Sequence, residues 1–200
     1  KLAETLPAKF YKDKNIFESS KKKIFLKCWH WIGDNSSCKE GNIKIPVDIL
    51  PKFLNEPVII SNSDKNKMKC FSNVCTHRGN ILVHKKCKSK KIICNYHGRR
   101  FDDEGKFEFM PEFKETINFP RKSDNLHDFP LFLWNNLIFV GLNPSFSIEK
   151  VFEKINERIS FLPLQNLKLD KKLSKDYSID ANWALYCDNY LEGFHVPFVH

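Results

Sequence analysis

Apolar positions change their period twice along this 200-residue chain. From Pro7 to about Asp34, Phe10, Phe17, Ile24, Phe25 and Trp29 recur at near-helical spacing, which predicts helices. From about Gly41 to Asn143, short apolar runs separated by turn residues take over, the pattern of strands. The candidate strands are Pro57–Ser61, Met68–Val74, Ile92–Asn95, Phe107–Met110 and Leu131–Val140. Within the last, Leu131–Trp134 and Leu137–Val140 flank Asn135-Asn136, two residues that tolerate positive φ, so a hairpin is expected. After Pro144, Ser147–Leu162 has an amphipathic helical pattern and Leu167–Ile179 leaves room for a strand. Ala181–His195 reads as a helix with Asp180 as its N-cap. The expectation is an α+β chain: a helical segment at 1–40, a small antiparallel sandwich or barrel at 41–143, and a third zone at 144–200.

With 42% hydrophobic residues, 18 Phe and 4 Trp, the chain can bury a substantial core in one or two domains. Its longest apolar runs are strand-sized, and the N-terminus shows neither a secretory signal pattern nor a starting Met. A soluble, cytoplasmic protein, trimmed by a few residues, is the expectation. The formal charge is +9, and Lys85, Lys86, Lys88, Lys90 and Lys91 concentrate five positive charges within seven residues. Such a segment is most simply a solvated loop, but it also suits an acidic protein partner. Seven cysteines make an odd count, so metal ligation is a better default for paired Cys and His than a disulfide framework. Cys28, Cys38, Cys70, Cys87 and Cys187 lack ligand-like spacing and read as reduced thiols.

Two arms carry the candidate chemistry, Cys75-Thr76-His77 and Cys94-Asn95-Tyr96-His97, with sixteen residues between them. In an extended segment residues i and i+2 project to one side, and a C-x-x-H arm brings its ligands together across a turn. Each arm thus offers one thiolate and one imidazole. Two soft sulfurs and two imidazoles suit tetrahedral zinc or a mixed-ligand iron–sulfur centre. The full phrase, Cys75-Thr-His-Arg-Gly79 and Cys94-Asn-Tyr-His-Gly98, resembles the Rieske domain of ring-hydroxylating and related non-haem iron oxygenases. The resemblance implies a 2Fe-2S cluster, with Cys75 and Cys94 on one iron and His77 and His97 on the other. Relatives commonly carry Trp after the second glycine; this chain has Arg99, followed by Arg100. It also lacks the extra cysteines of high-potential Rieske proteins, and no hydroxyl follows Gly98, which predicts a potential around −150 mV.

A second constellation closes the sequence. On a helix Asp188, Glu192 and His195 fall on one stripe, and Pro197 disfavours helical geometry at Val196, so a bend there lets His195 and His200 converge. Two histidines and a carboxylate form the facial triad of ferrous oxygenases. The phrase Asn182-Trp183 through Asp188-Asn-Tyr-Leu-Glu-Gly-Phe-His-Val-Pro-Phe-Val-His200 resembles the start of the catalytic domain of Rieske oxygenase large subunits, closest in wording to the choline-monooxygenase-like branch. That resemblance implies a helix-grip catalytic domain beginning in 144–200, with His195 and His200 as ligands of a mononuclear Fe(II). It further implies Glu192 as the inter-subunit electron bridge in a homotrimer, and Asp188 or Asn189 behind the ligands. The third carboxylate should lie downstream of His200, and a chain ending there is expected to be inactive. The implied partners are a ferredoxin or flavin reductase, dioxygen and a small organic substrate, with no nucleic acid and no membrane. Two alternatives stay open: a non-catalytic Rieske electron-transfer or redox-sensing module, and a zinc-stapled binding module.

Overall fold

The computed structural model describes residues 4–63, 67–170 and 172–199. In chain order the elements begin with helices α1 (Lys9–Lys12) and α2 (Lys14–Lys23). Strands β1 (Trp29–Asp34), β2 (Ile43–Ile49), β3 (Glu56–Asn62), β4 (Met68–Ser72), β5 (Cys87–Lys88) and β6 (Ile92–Ile93) follow. Next come β7 (Arg100–Phe101), β8 (Phe107–Phe109), β9 (Asp128–Phe129), β10 (Leu131–Trp134) and β11 (Leu137–Gly141). Helices α3 (Ile148–Ile159), α4 (Trp183–Leu191) and α5 (Val196–Val199) complete the set. The chain divides into two compact units, one spanning Leu26–Leu169 and the other built from the two terminal segments.

The larger unit holds three antiparallel sheets, ordered β1-β11-β10, β5-β2-β3-β4-β9 and β6-β7-β8. Its central strand β3 is buried on both faces. Because successive side chains alternate, Val58 and Ile60 join Cys70, Ile138 and Val140 in one core, while Ile59 joins Phe71, Phe101, Cys75 and Cys94 in another. Full burial of side chains such as Val58 and Ile59 stabilises the fold by roughly 1.5–3 kcal/mol each. One strand therefore ties the scaffold to the layer that carries both Cys-His arms. The expected hairpin forms as Leu131–Trp134 against Leu137–Gly141, with Asn135 at φ 51°. Against it packs α3, whose Phe152 ring lies 4.5–5.4 Å from those of Trp134, Phe139 and Phe132; Ser147 caps this helix.

Four local expectations need correction. The helical period does not continue to Asp34: α2 ends at Lys23, and Trp29–Asp34 is a strand because β11 offers it a full backbone ladder. Leu167–Ile179 contains no strand among its described residues. The N-cap before α4 is Asn182, whose side chain accepts the Ala184 N–H at 3.0 Å, and not Asp180. The chain leaves helical geometry at Glu192 (φ −106°, ψ 144°) rather than at Val196, and Pro197 sits inside the first turn of α5, where a missing N–H costs little. Strand β2 carries a strict alternation of Ile43, Ile45, Val47 and Ile49 with Lys44, Pro46 and Asp48, and the internal Pro46 is what argues against a strand there from sequence alone. It tolerates Pro46 because β5 pairs only with Ile43 and Lys44, leaving the rest of that side an edge.

In the smaller unit, Asp13 caps α2 by accepting the N–H groups of Asn15 and Ile16. The Asn182 amide donates to the Tyr11 carbonyl at 2.9 Å, and Phe25 meets Trp183 edge-on at 5.0 Å.

Candidate metal centre

The two arms fold into loops of the same backbone design. In the first, the Cys75 N–H donates to the Asn80 carbonyl at 2.8 Å and the Gly79 N–H to the Cys75 carbonyl at 3.0 Å. In the second, the Cys94 N–H donates to the Arg99 carbonyl at 2.8 Å and the Gly98 N–H to the Cys94 carbonyl at 2.9 Å. Cross-strand pairs Val74–Ile81 and Ile93–Arg100 close the two loops at equivalent positions. Gly79 and Gly98 both have φ +72°, a left-handed conformation that favours glycine. The loops thus match from cysteine to glycine although their histidines sit two and three residues after the cysteine.

Both sulfurs are buried at 2% exposure, whereas His77 and His97 are partly exposed. The imidazoles meet edge to face, with centroids 4.8 Å apart. Their Nδ1 atoms are buried without a hydrogen-bond partner, a costly state for two polar atoms unless a ligand completes them. Burial pushes the Cys75 thiol above its ordinary range, against the pull of the His77 N–H. Cys94 is held below the ordinary thiol range: desolvation opposes its ionisation, but N–H groups of Tyr96 and His97, the Cys75 thiol and the Asn80 amide all stabilise the thiolate. The His77 pKa is lowered by burial and then by the charges of His97, Arg78 and Arg99, which favours the neutral form that a metal ligand requires. Among the described residues no three or more His, Cys, Asp and Glu side chains converge on a single ion. The donors form a sulfur pair and an imidazole pair, an arrangement that fits a two-iron cluster with two protein ligands on each iron.

Three supports around the arms were not apparent from spacing. The Asn80 amide of the first loop reaches the Cys94 sulfur of the second at 3.7 Å. Asn73, buried at the foot of the first loop, exchanges 2.8 Å hydrogen bonds with the Val83 backbone. Arg99 is buried in an ion pair with Asp124, and the Asp124 carbonyl accepts the Thr76 hydroxyl at 2.8 Å. The lysine loop borders the second arm through a cleft shared by Lys85, Lys91 and Asn95. Within it Lys91 pairs with Glu108 and Lys88 with Glu40.

In the other unit, the Glu192 carboxylate bonds His195 Nδ1 and also accepts the Phe194 N–H at 2.7 Å. Its pKa is lowered, first by that bond to His195. Asp188 accepts the Tyr11 hydroxyl, and Asn189 is exposed on α4. His200 lies outside the described residues.

The Rieske [2Fe-2S] domain family matches residues 28–120. The carnitine monooxygenase oxygenase subunit of Escherichia coli (strain K12) is 28% identical over 99% of this chain and 52% of its own length. The chloroplastic choline monooxygenase of Beta vulgaris is 27% identical over 99% of this chain and 45% of its own. A crystal structure of the quaternary ammonium Rieske monooxygenase CntA with gamma-butyrobetaine superposes with a TM-score of 0.78 at 24% identity, covering 98% of this chain and 56% of that one. The chain spans about half the length of the curated relatives it matches.

Proposed function

Because this chain carries a Rieske [2Fe-2S] domain at residues 28–120 and is related along nearly all its length to Rieske oxygenase subunits, we propose that it belongs to the terminal oxygenase component of a Rieske non-haem iron oxygenase. The observation that carries the proposal is the pairing of two buried sulfurs with two imidazoles whose Nδ1 atoms lack partners. Cys75 and Cys94 would hold one iron, and His77 and His97 the other. A cluster of this kind exchanges one electron at a time when bound.

The protein's own part is placement. Two glycine-hinged loops fix the four donors, while N–H groups of His77, Tyr96 and His97 and the Asn80 amide face the sulfurs and support negative charge there. The partly exposed imidazoles would be the cluster's most accessible ligands, the side nearest a partner. Glu192, by bonding His195 Nδ1, orients that ring and leaves Nε2 as the metal donor. His195 and His200, with a carboxylate from further chain, would hold the mononuclear Fe(II) at which dioxygen and a small organic substrate react, by hydroxylation or oxidative demethylation. In a homotrimer, His77 or His97 of one subunit would meet Glu192 of its neighbour. A ferredoxin or flavin reductase supplies the electrons. The names of the relatives support a quaternary ammonium compound as the substrate class. No helix among the described residues is long and apolar enough to cross a membrane.

The test is anaerobic purification followed by metal and acid-labile sulfide analysis and electron paramagnetic resonance of the reduced protein. Two irons and two sulfides per chain in the 200-residue protein are expected; zinc without sulfide would overturn the reading. In a longer chain containing the downstream carboxylate, His195→Ala should remove a further iron while leaving the cluster signal intact.

A further inference from the structure

We propose that the buried guanidinium of Arg99, clamped by Asp124 between the two loops, raises the reduction potential of the cluster site. The proposal rests on the reading that Cys75, His77, Cys94 and His97 hold a 2Fe-2S cluster. Arg99 is only 3% exposed, and its carbonyl closes the second loop by accepting the Cys94 N–H. Its guanidinium lies 5.0, 5.6 and 5.9 Å from the ring centres of Phe107, Phe119 and Phe101, so the charge sits among aromatic walls. In such surroundings a charge is weakly screened and acts further than it would in water.

The counter-charge is placed to one side. Asp124 accepts the guanidinium, but it also accepts the Arg121 N–H at 2.7 Å, and its carbonyl takes the Thr76 hydroxyl from between Cys75 and His77. Both loops therefore fix the pair, and its geometry is not free to relax. Arg99 follows the ligand His97 by two residues and its carbonyl takes the N–H of the ligand Cys94, so the guanidinium's charge is built into the loop that holds two of the four ligands. Reduction adds one electron, hence one negative charge, to the space those ligands enclose. The positive charge stabilises that product relative to the oxidised site, and so raises the potential. Arg78, next to His77 in sequence, carries the same charge, but it is exposed and screened by salt.

The experiment is a redox titration of the cluster-loaded protein at fixed pH, with dithionite as reductant, followed by visible absorbance and by electron paramagnetic resonance. Arg99→Gln should lower the affinity for the electron about tenfold, about 59 mV for a one-electron couple. Arg99→Lys keeps the charge and should stay near the parent potential. Asp124→Asn removes the counter-charge, keeps an acceptor, and should shift the potential upward. Opposite shifts from the two partners of one ion pair are a result that simple loosening of the loops does not produce. An unchanged or raised potential in Arg99→Gln, a fall in Arg99→Lys as deep as in Arg99→Gln, or a fall in Asp124→Asn would each overturn the proposal. If Arg99→Gln loads no cluster, Arg99→Lys and Asp124→Asn decide the matter by the same criteria. Absence of iron and sulfide from the parent protein is a separate result that removes the cluster reading itself.

Discussion

At the scale of residues, the four proposed cluster ligands can be singled out from local spacing, since each thiol lies within three positions of an imidazole. Cys94→Ser or His77→Ala is expected to abolish cluster loading, seen as loss of the visible absorbance and of acid-labile sulfide. The Arg99–Asp124 pair was not legible, since its partners lie far apart in sequence and either alone reads as a surface charge. Gly105 was equally silent. At φ +76°, a Cβ there would lie 2.8 Å from the Phe71 ring, so a side chain meets both backbone strain and a full core. Gly105→Ala should destabilise the protein by about 2–4 kcal/mol in denaturant unfolding, combining left-handed strain with overpacking.

At the scale of elements, longer β-type runs could be read, whereas the two-residue strands β5, β7 and β9 are too short to show a period. Met68–Ser72 and the Asn135 hairpin could be read directly. Strand β2 alternates as strictly as any, and only its internal Pro46, which a central strand excludes, hides it; the open side beyond Lys44 is what makes room for that proline. Trp29–Asp34 was misassigned because its identity depends on β11, more than a hundred residues away. The lysine loop shows how an element acquires a role from its contacts. Glu108 on β8 accepts Lys91 at 2.6 Å and Arg100 at 3.0 Å, and its pKa is lowered first by the Lys91 hydrogen bond. A lowered folded pKa gives stability that is present above the ordinary glutamate pKa of about 4.3 and disappears as pH falls through the folded value. Glu108→Gln should therefore cost about 0.5 kcal/mol at neutral pH, in keeping with a partly exposed pair, and nothing in strong acid. Thermal melts of both proteins across pH 3–7 would show the curves converge. With Lys88 and Lys91 engaged, Lys85 and Lys86 are the charges that best suit steering of an acidic electron donor. Charge-neutral variants of both should slow reduction by such a donor in stopped-flow traces and weaken its salt dependence; an unchanged rate would exclude that role.

At the scale of the whole chain, one strand pair serves two cores, and this divides structural from functional consequences. Ile60 packs in the core away from the arms and Ile59 in the core that contains Cys75 and Cys94. Truncating either to Ala should cost about 2–4 kcal/mol, but only Ile59→Ala is expected to shift or broaden the paramagnetic signal of the reduced cluster. Burial also sorts the cysteines by accessibility. Cys187 is exposed, Cys70 is sealed with its thiol pKa pushed far up by desolvation, and Cys75 and Cys94 lie beneath their own loops. In cluster-free protein an alkylating reagent should therefore label Cys187 at once, whereas Cys75 and Cys94 would wait for their loops to part. The rate at which those two thiols are labelled becomes a clock for loop opening, and it marks how quickly the empty scaffold can admit iron and sulfide.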